Sequence, residues 1–401
     1  MKILIIHNFH RTGSASGDDV VFKNESKLLE LHGHKVVNYS VSNDIFDKSG
    51  FLSKIRLTLS MIWSFNHYKA VSNLIKKEKP NIVHIHTFFP LLSPSILYAV
   101  KRHHIPLVAT LHDTRFICPC ATSLRGEMIC NNCSDGHYFK MVKNKCFKDS
   151  YFQSFIVAFV FKLHKKLKSF YKCIDKYICL NNQQISLLKN CGYSEKKLVK
   201  KYNFVEDANN FVNSKLTIYS KLLNKKYVVF YGRIGVEKGI KVLEKIFDNT
   251  EVSLDDVNLI VMGTGPLDND FKQWAKNKRN ITYLGYVQRN DCLEIVKHSE
   301  FVIFPSIWYE GCSMVEIEAF SLGKAIIAYD LGFSSELIEN EFNGIKVKFA
   351  DVHEFAAKIL YLWNNENKCK QLGMKARLTY LSRFTPESNY EQLYTIYKEL
   401  I

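Results

Sequence analysis

The chain has 401 residues, of which 47% are hydrophobic and 23% are charged. This composition excludes a disordered or low-complexity protein, and the length exceeds the usual size of one hydrophobic core, so we expect two domains. Lys and Arg total 55 against 39 for Asp and Glu, which gives a formal charge of +16. Such a surface attracts polyanions such as nucleic acid, anionic lipid or acidic glycans, but a basic proteome explains it equally well.

The chain shows no targeting or membrane-spanning pattern. Residues 1–7 form an apolar run that is too short for a signal peptide and is predicted to be a buried strand. The most apolar later stretch, at 155–161, falls far short of the ~20 residues that a membrane helix needs. We therefore expect a cytoplasmic protein whose 11 cysteines are mostly reduced thiols or metal ligands.

Short apolar runs alternate with helical patterns in the first half of the chain. The predicted helices include 20–31 and 69–77. The predicted buried strands are 3–7, 35–39, 82–86, 107–110 and 177–180. This alternation predicts a parallel sheet with helices on both faces.

The same alternation restarts after a polar, poorly periodic stretch at 206–226. The predicted strands are 227–231, 257–262, 281–284, 301–304 and 325–328, and the predicted helices are 239–247, 267–276, 291–298, 313–321 and 354–364. The predicted fold class is therefore α/β, with two doubly wound Rossmann-like domains, at 1–205 and 206–384. Ligands in such folds bind outside the carboxyl ends of the strands, which predicts a site in a cleft where the two sheets face each other.

One segment of the second half combines a strand end, an acidic loop and a helix start. The strand ends at Ser306, the loop carries Glu310, and the helix contains Glu318. A glycine in this loop lets a ligand approach the backbone closely, and amides at a helix start bind phosphate. We expect those amides to come from Gly311, Cys312, Ser313 and Met314. One carboxylate can then meet a sugar while the other meets a ribose.

A second segment places two cations around a strand-to-helix turn. Arg233 and Lys238 follow the predicted strand 227–231 and flank a glycine-containing turn. Arg offers a planar fork and Lys a compact charge, and both suit a diphosphate. A departing nucleoside diphosphate gains negative charge, which fixed cations and amides stabilise.

Together these segments resemble the signature of glycosyltransferase family 4. The resemblance rests on Tyr309-Glu310-Gly311 followed by Glu318-Ala319, and on Gly232-Arg233 followed by Glu237-Lys238-Gly239. It extends to Asn8 and Gly17, Val83-His84-Ile85-His86, Thr110-Leu111-His112-Asp113, and Gly332 with Asn343-Gly344. It implies a GT-B fold, a retaining transfer from a nucleotide sugar, and no cofactor for catalysis. It also implies that the last segment, 385–401, is a helix that packs back on the N-terminal domain.

The resemblance also implies a role for each site residue. Glu310 would hold hydroxyls of the donor sugar, Glu318 would hold the ribose, and Arg233 and Lys238 would bind the diphosphate. His112 would reach the donor sugar. Gly17 would allow close approach of the diphosphate or acceptor, and the stretch Gly285-Tyr286-Val287 would contact the base. On the residues alone, a satisfied core histidine at 112, a plain turn glycine at 17 and surface charges at 233 and 238 remain alternatives.

Cysteines concentrate in an insertion predicted at 114–150. Cys130 and Cys133 have the two-residue spacing of a metal knuckle. Cys118 and Cys146 would complete four ligands, with Cys120 as a substitute for Cys118. The insertion therefore predicts a structural zinc site, and the alternatives are reduced thiols or a disulfide.

The stretch 151–172 mixes Phe and Leu with six basic positions. A helix with Lys beside large apolar residues can lie in a membrane interface, which suggests a lipid-linked acceptor and peripheral association with the inner membrane. The alternative is a core helix whose lysines face water.

The function predicted is transfer of a sugar from a nucleotide diphosphate sugar to a glycan or lipid-linked acceptor, in bacterial surface polysaccharide or lipopolysaccharide synthesis. UDP-sugars are common donors in the family that the chain resembles, so the resemblance favours a UDP-sugar. Two other functions remain open, a sugar-nucleotide epimerase of similar fold and a non-catalytic polyanion-binding protein. No nucleic-acid-binding motif or arginine stripe is visible, so we expect no nucleic-acid partner.

Overall fold

The computed structural model describes residues 1–12, 16–48, 50–212 and 224–401. The predicted junction at 206–226 lies partly, at 213–223, outside the described residues. The chain forms two compact units. The N-terminal unit comprises Met1–Ser123, Cys130–Tyr202 and Asn389–Ile401, and the C-terminal unit comprises Leu124–Ile129 and Asn203–Ser388.

These units differ slightly from the predicted domains. The division falls after Tyr202 rather than after 205, and again after Ser388 rather than after 384. Residues 124–129 of the predicted insertion group with the C-terminal unit, where Glu127 forms an ion pair of 2.7 Å with Lys245. This pair joins residues 118 positions apart, so no local pattern could have indicated it.

The first eight strands form a six-stranded parallel sheet and a small hairpin. They are Lys2–Phe9 (β1), Lys35–Ser42 (β2), Ile82–Thr87 (β3), Leu107–Leu111 (β4), Leu124–Arg125 (β5), Met128–Ile129 (β6), Lys176–Cys179 (β7) and Leu198–Lys200 (β8). The parallel sheet has the order β2-β1-β3-β4-β7-β8, and β5 pairs antiparallel with β6. The reversal of strand order lies between β1 and β3, where a crevice opens in folds of this kind.

In the part of the chain that the structure describes, nine α-helices accompany these strands. They are Gly17–Leu31 (α1), Ile45–Lys48 (α2), Phe51–Ser60 (α3), Phe65–Glu78 (α4), Ser95–Arg102 (α5), Lys140–Lys143 (α6), Tyr151–Lys166 (α7), Ser169–Cys173 (α8) and Asn182–Asn190 (α9). The basic stretch 151–172 forms two helices, α7 and α8. The chain turns at Leu167 and Lys168, where Lys168 has a left-handed φ of 55°, which an α-helix cannot continue through.

The N-terminal unit packs apolar layers on both faces of its sheet. Along β1, Leu4 and Ile6 belong to one buried cluster, whereas Ile3 and Ile5 belong to another. Successive residues of a strand point to opposite faces, so a continuous apolar run is what a doubly covered strand requires. The second cluster includes Leu393, Ile396 and Tyr397 from the C-terminal segment.

The C-terminal unit has its own six-stranded parallel sheet. Its strands are Val228–Tyr231 (β9), Leu259–Met262 (β10), Ile281–Gly285 (β11), Val302–Phe304 (β12), Ile326–Tyr329 (β13) and Ile345–Val347 (β14). Their order is β11-β10-β9-β12-β13-β14, so the direction of winding reverses between β9 and β12. Ligand sites in open α/β sheets lie at such a reversal.

Among the described residues after α9 there are eight α-helices. They are Ile240–Phe247 (α10), Asp268–Lys276 (α11), Arg289–His298 (α12), Met314–Ser321 (α13), Gly332–Leu337 (α14), Val352–Asn364 (α15), Glu366–Arg383 (α16) and Pro386–Lys398 (α17). The predicted fold class, two Rossmann-like parallel sheets with helices, is confirmed. Across the described part of the chain, no helix is both long enough and apolar enough to span a bilayer.

Candidate active site

The strongest constellation lies where the C-terminal sheet reverses its order. Lys238 ends a 3-10 turn after β9, and Glu310 lies in the loop after β12. Lys238 Nζ lies 2.6 Å from Glu310 Oε1, and Ser306 Oγ donates to the same oxygen at 2.9 Å. The Glu310 residue is only 5% exposed. Two predicted donor-binding residues, 72 positions apart, are therefore brought into direct contact.

Two glycines hold these loops in place. Gly239 has a φ of +73°, and a Cβ atom there would lie 1.9 Å from the carbonyl oxygen of Pro305. Gly332 has a φ of +58°, and its Cβ would lie 2.8 Å from the amide nitrogen of Glu310. Only glycine combines a left-handed backbone with such close approach. Gly239 and Gly332, which belong to the family motifs, thus help to fix the positions of Lys238 and Glu310.

Aromatic rings surround the Lys238 ammonium. Its Nζ lies 5.7 Å from the ring centroid of Phe304 and 5.4 Å from that of Trp308. A cation over an aromatic face is stabilised by the ring quadrupole. The ammonium is therefore held by one carboxylate and two rings, in a position that an incoming anion could share.

Arg233 takes a different partner from Lys238. Its Nη1 lies 3.5 Å from Glu237 Oε1, and its side chain is 55% exposed. The structure therefore places Arg233 at the same turn as Lys238 but does not connect it to Glu310.

The start of α13 follows the predicted loop-to-helix pattern. Ser313 is the N-cap, and its Oγ accepts a hydrogen bond from the Glu316 amide at 3.4 Å. Gly311 and Cys312 are buried and Met314 is half-buried. The Cys312 carbonyl accepts from Asn203 Nδ2 at 3.2 Å, so a side chain that the sequence analysis did not single out steadies this loop.

Glu318 has a partner that the sequence analysis missed. Its Oε1 accepts hydrogen bonds from Arg289 Nη2 at 2.7 Å and Nε at 3.1 Å. Burial raises the pKa of Glu318, and the Arg289 guanidinium opposes that shift. Arg289 begins α12 shortly after Tyr286 and Val287, of which Tyr286 is exposed and Val287 half-buried. Arg289 thus contacts the carboxylate predicted to hold the ribose and lies two residues after the stretch predicted to contact the base.

A third carboxyl group in α13 is fully buried. Glu316 has no exposed surface. Burial raises its pKa to about 8, and the nearby Glu310 carboxylate adds to the shift. Glu316 is therefore largely protonated at neutral pH, unlike an ordinary surface glutamate.

The predicted N-terminal residues lie at the carboxyl edge of their own sheet. His112 directly follows β4, is half-buried, and places its Nε2 3.0 Å from Nδ1 of His86. Burial lowers the pKa of His112 to about 3, with His86 adding to the shift and Asp18 opposing it. Gly17 is the exposed first residue of α1. The next residue, Asp18, accepts from Thr87 Oγ1 at 3.1 Å and was not predicted as a site residue.

The cysteines of the insertion form a loose cluster. The sulfur atoms of Cys118 and Cys120 lie 3.2 Å apart, and all of the cysteines are free thiols. The tight groups of three potential metal ligands among the described residues are Glu25 with His84 and His86, and His7 with Asp18 and Asp19; neither contains a cysteine. Zinc binding by Cys118, Cys130, Cys133 and Cys146 stays a prediction.

Two family profiles cover most of the sequence. The family described as Glycosyltransferase Family 4 matches residues 19–209, and the family described as Glycosyl transferases group 1 matches residues 217–379. The second match contains Arg233, Lys238, Glu310 and Glu318.

Individual relatives are distant but extend over most of the chain. An uncharacterized glycosyltransferase of Methanocaldococcus jannaschii is 24% identical, across 84% of this chain and 80% of its own. The UDP-Gal:alpha-D-GlcNAc-diphosphoundecaprenol alpha-1,3-galactosyltransferase of Escherichia coli is 25% identical, across 76% of this chain and 72% of its own.

Solved structures share the architecture. HepE of Anabaena, crystallised with UDP, superposes with a TM-score of 0.67 at 16% identity, and each chain is fully covered. The apo lipopolysaccharide outer core galactosyltransferase WaaB gives a TM-score of 0.63 at 15% identity, again over both full chains. Site geometry, family profiles, relatives and fold agree, and the chain therefore belongs to the family 4, group 1 glycosyltransferases with the GT-B fold.

Proposed function

We propose that this glycosyltransferase moves a hexose from a UDP-sugar to a lipid-linked glycan, with retention of configuration at the anomeric carbon, during assembly of a bacterial surface polysaccharide or lipopolysaccharide. The observation that carries the proposal is the contact between Lys238 and Glu310 at the reversal of the C-terminal sheet. The Lys238 cation suits the diphosphate of a nucleotide sugar, and the Glu310 carboxylate beside it can accept hydrogen bonds from the hydroxyl groups of the hexose.

The Lys238–Glu310 contact also suggests how binding is organised. A diphosphate would compete with Glu310 for the Lys238 ammonium. Once that ammonium turns to phosphate, the Glu310 carboxylate gains capacity to accept hydrogen bonds from sugar hydroxyls. Ser306, which donates to the same carboxylate oxygen, would keep Glu310 in place during this exchange. The site would thus be prepared for both ligand groups before the donor arrives.

The relatives support the chemistry of donor and acceptor. The name of the Escherichia coli enzyme gives UDP-galactose as donor and a diphosphoundecaprenol-linked sugar as acceptor, and HepE was crystallised with UDP. A Campylobacter jejuni relative, 25% identical over 57% of this chain, is named for a transfer to a diphospho-undecaprenol-linked sugar as well. These names favour a uridine nucleotide and a polyprenyl diphosphate acceptor.

The proposed transfer needs no carboxylate nucleophile. The acceptor hydroxyl oxygen bonds to the anomeric carbon on the face from which the diphosphate leaves, and the bond between that carbon and the diphosphate oxygen breaks. The hydroxyl proton passes to the departing diphosphate, so charge and atoms balance. Lys238 and Arg233 would stabilise the charge that develops on the diphosphate. Glycosidases, in contrast, place two carboxyl groups about the scissile bond.

The surface of α7 supports a membrane-linked acceptor. Phe152, Phe155 and Phe159 are exposed and follow helical spacing, and Lys162 and Lys166 continue the same stripe. The opposite side of α7 is buried. Aromatic residues and lysines on one exposed face suit the boundary between lipid headgroups and acyl chains.

A thermal-shift panel of nucleotide sugars tests the donor assignment. Because stabilisation grows with ligand concentration relative to its dissociation constant, the true donor should raise Tm most, and UDP should raise it more than ADP or GDP. Proton NMR of the product then reads the anomeric configuration. Conversion of one nucleotide sugar into another, without hydrolysis and without an acceptor, would instead indicate an epimerase. Inversion of configuration at the anomeric carbon would refute the retaining mechanism.

Two variants test the residues. Glu310→Gln should keep UDP binding and lower kcat by about a hundredfold or more, the scale of losing one preorganised electrostatic contact. Lys238→Met should weaken UDP itself. Lys272→Met is the control, because Lys272 is exposed on α11 of the same unit. Unchanged turnover in Glu310→Gln would defeat this assignment.

Cosedimentation with vesicles tests the membrane proposal. The wild-type chain should sediment with vesicles that contain anionic lipid, and added salt should reduce the bound fraction. Phe155→Ser with Phe159→Ser, or Lys162→Glu with Lys166→Glu, should release it. The control is Lys272→Glu with Lys276→Glu, which carries the same charge change on another exposed helix. Equal loss in the control would show that net charge, rather than the α7 stripe, attracts the chain.

A further inference from the structure

A buried ionic network lies beneath His112 in the N-terminal unit. The Glu25 and Lys201 side chains are both fully buried and form an ion pair through Glu25 Oε1. Lys201 Nζ also donates to the side-chain oxygen of Asn389 and to the carbonyl of Tyr202, each at 3.3 Å. Burying two charges costs free energy. A buried charged network therefore persists only when its members form ion pairs and hydrogen bonds with one another, or when the network has a function.

Two imidazoles connect this ion pair to His112. His86 Nε2 lies 3.2 Å from Glu25 Oε2, and His86 Nδ1 lies 3.0 Å from His112 Nε2. The His86 and His112 rings are stacked, with centroids 5.2 Å apart and planes inclined by 16°. The chain of contacts therefore runs from Lys201 through Glu25 and His86 to His112.

The contacts favour one arrangement of the ring hydrogens. His86 Nε2 and Glu25 Oε2 do not meet in hydrogen-bond geometry, but an ionised carboxylate 3.2 Å away favours a hydrogen rather than a lone pair on His86 Nε2. An imidazole that carries a single hydrogen, on Nε2, has a bare Nδ1. A bare Nδ1 can only accept, so His112 must donate to it through Nε2–H.

We propose that Glu25 and His86 are positioning residues that hold His112 as its Nε2–H tautomer and leave His112 Nδ1 as a hydrogen-bond acceptor for a hydroxyl group of the substrate. Within the described residues, Nδ1 of His112 makes no hydrogen bond. The assignment of that hydroxyl to a substrate rests on the proposed glycosyl transfer. The tautomer itself does not.

A metal ion at the same place is disfavoured by the other contacts. Glu25, His84 and His86 have ligand atoms close enough to share an ion. However, the Lys201 ammonium sits on the Glu25 carboxylate and would repel a cation. Both ring nitrogens of His84 are also engaged, Nδ1 with the Tyr397 hydroxyl and Nε2 with Thr110 Oγ1, each at 2.7 Å. The three side chains therefore form a buried polar cluster rather than a metal site.

The direct test reads the tautomer in the wild-type chain. Long-range proton–nitrogen NMR of full-length protein with ¹⁵N-labelled histidine distinguishes a protonated ring nitrogen from a bare one. The signal that disappears in His112→Gln identifies His112. At pH 7 we expect a hydrogen on Nε2 and none on Nδ1. A hydrogen on Nδ1, or on both nitrogens, would overturn the proposal without any variant of the network.

Two variants then separate positioning from folding. His86→Phe keeps a ring but removes the acceptor, so the His112 signals should lose the single-tautomer pattern, and kcat should fall about tenfold to a hundredfold, the scale on which outer hydrogen bonds act on functional imidazoles. Tyr397→Phe removes a buried hydroxyl from the neighbouring His84 and should leave the His112 tautomer and kcat close to wild type. A His112 pattern unchanged in His86→Phe would overturn the proposal.

The NMR experiment and the activity assay can each contradict one proposal without contradicting the other. If wild-type His112 has the expected tautomer but no nucleotide sugar supports transfer, the support network stands and the proposed function fails. If transfer occurs while His112 carries hydrogen on Nδ1, the function stands and the network assignment fails.

Discussion

Arg289 binds Glu318 through only one of the two carboxylate oxygens. Both guanidinium contacts, at 2.7 and 3.1 Å, reach Oε1, and in the described part of the chain no hydrogen bond reaches Oε2. Arg289 also lies over the ring of Phe211, 4.9 Å from its centroid. The arginine thus favours the ionised form of this largely buried carboxylate and fixes its orientation, which leaves the second oxygen for the predicted contact with a ribose.

Removing Arg289 should therefore weaken nucleotide binding. In Arg289→Ala, the Glu318 carboxylate loses its counter-ion and its orientation, and we expect Kd for UDP to rise roughly tenfold, or about 1.4 kcal/mol. Isothermal titration calorimetry measures the change. Arg279→Ala, an exposed arginine of the same unit, is the control. Equal affinity in the two variants would remove Arg289 from the site.

The raised pKa of Glu316 predicts that the free energy of unfolding decreases as pH rises. Its pKa in the folded protein is about 8, above the ordinary value of 4.5, so between these pH values the folded state binds more protons than the unfolded state. The free energy of unfolding should therefore decrease across this window, by at most about 1.4 kcal/mol per pH unit, and level off above it.

Urea unfolding at pH 5, 7 and 9 checks this dependence. Glu316→Gln has no carboxyl group to ionise, so the decrease should be smaller in this variant, whereas Asp256→Asn at an exposed position should keep the wild-type slope. The same slope in all three proteins would mean that Glu316 ionises normally.

Gly239→Ala should damage the site through the backbone. A methyl group at 239 meets the carbonyl of Pro305 and must adopt a φ of +73°, so we expect a loss of more than about 4 kcal/mol in the C-terminal unit. Gly285→Ala is the matched control, because Gly285 has a φ of +66° but open space around its Cβ position. It should lose only about 1–2 kcal/mol from the left-handed backbone. Similar Tm values for the two variants would show that the turn relaxes.

A zinc ion held by the insertion would make the N-terminal unit sensitive to chelators. We expect about one equivalent of zinc in purified protein, because structural sites bind one ion through four ligands. Cys130→Ser should lose the metal and lower Tm, whereas Cys292→Ser, on α12 of the other unit, should retain it. Metal-free protein with every thiol titratable would contradict the zinc proposal.

Periodicity predicted the longer elements of the fold well. Buried parallel strands such as β1 and β4 are continuous apolar runs, and α10 and α15 begin within two residues of their predicted starts. The short strands β8 and β14 escaped prediction because three residues are too few to show a pattern. Helix α16 also escaped, since its apolar positions do not form a single stripe.

The sequence motifs indicated residues but not their partners. Lys238 and Glu310 were both predicted as donor contacts, and the structure joins them. Arg289 and Asn203 were missed because neither belongs to a motif that the sequence displays. The pair of Glu25 and Lys201 lies 176 positions apart, and only the completed sheet brings the two together. Tertiary partnership of this kind has no local signal.

The C-terminal segment that supplies Asn389, Leu393 and Tyr397 to the N-terminal unit also imposes an order on biosynthesis. The Lys201 ammonium cannot contact Asn389 until residue 389 has been synthesised. In the same way, the apolar face formed by Ile3 and Ile5 cannot pack against Leu393 and Tyr397 before these residues are made. At 5–20 residues per second, the ribosome needs on the order of ten to forty seconds to make the chain in between. During that interval the nascent N-terminal unit exposes an uncovered apolar surface, while the C-terminal unit can already complete its own sheet. A segment translated later therefore covers a part of the chain that is translated much earlier.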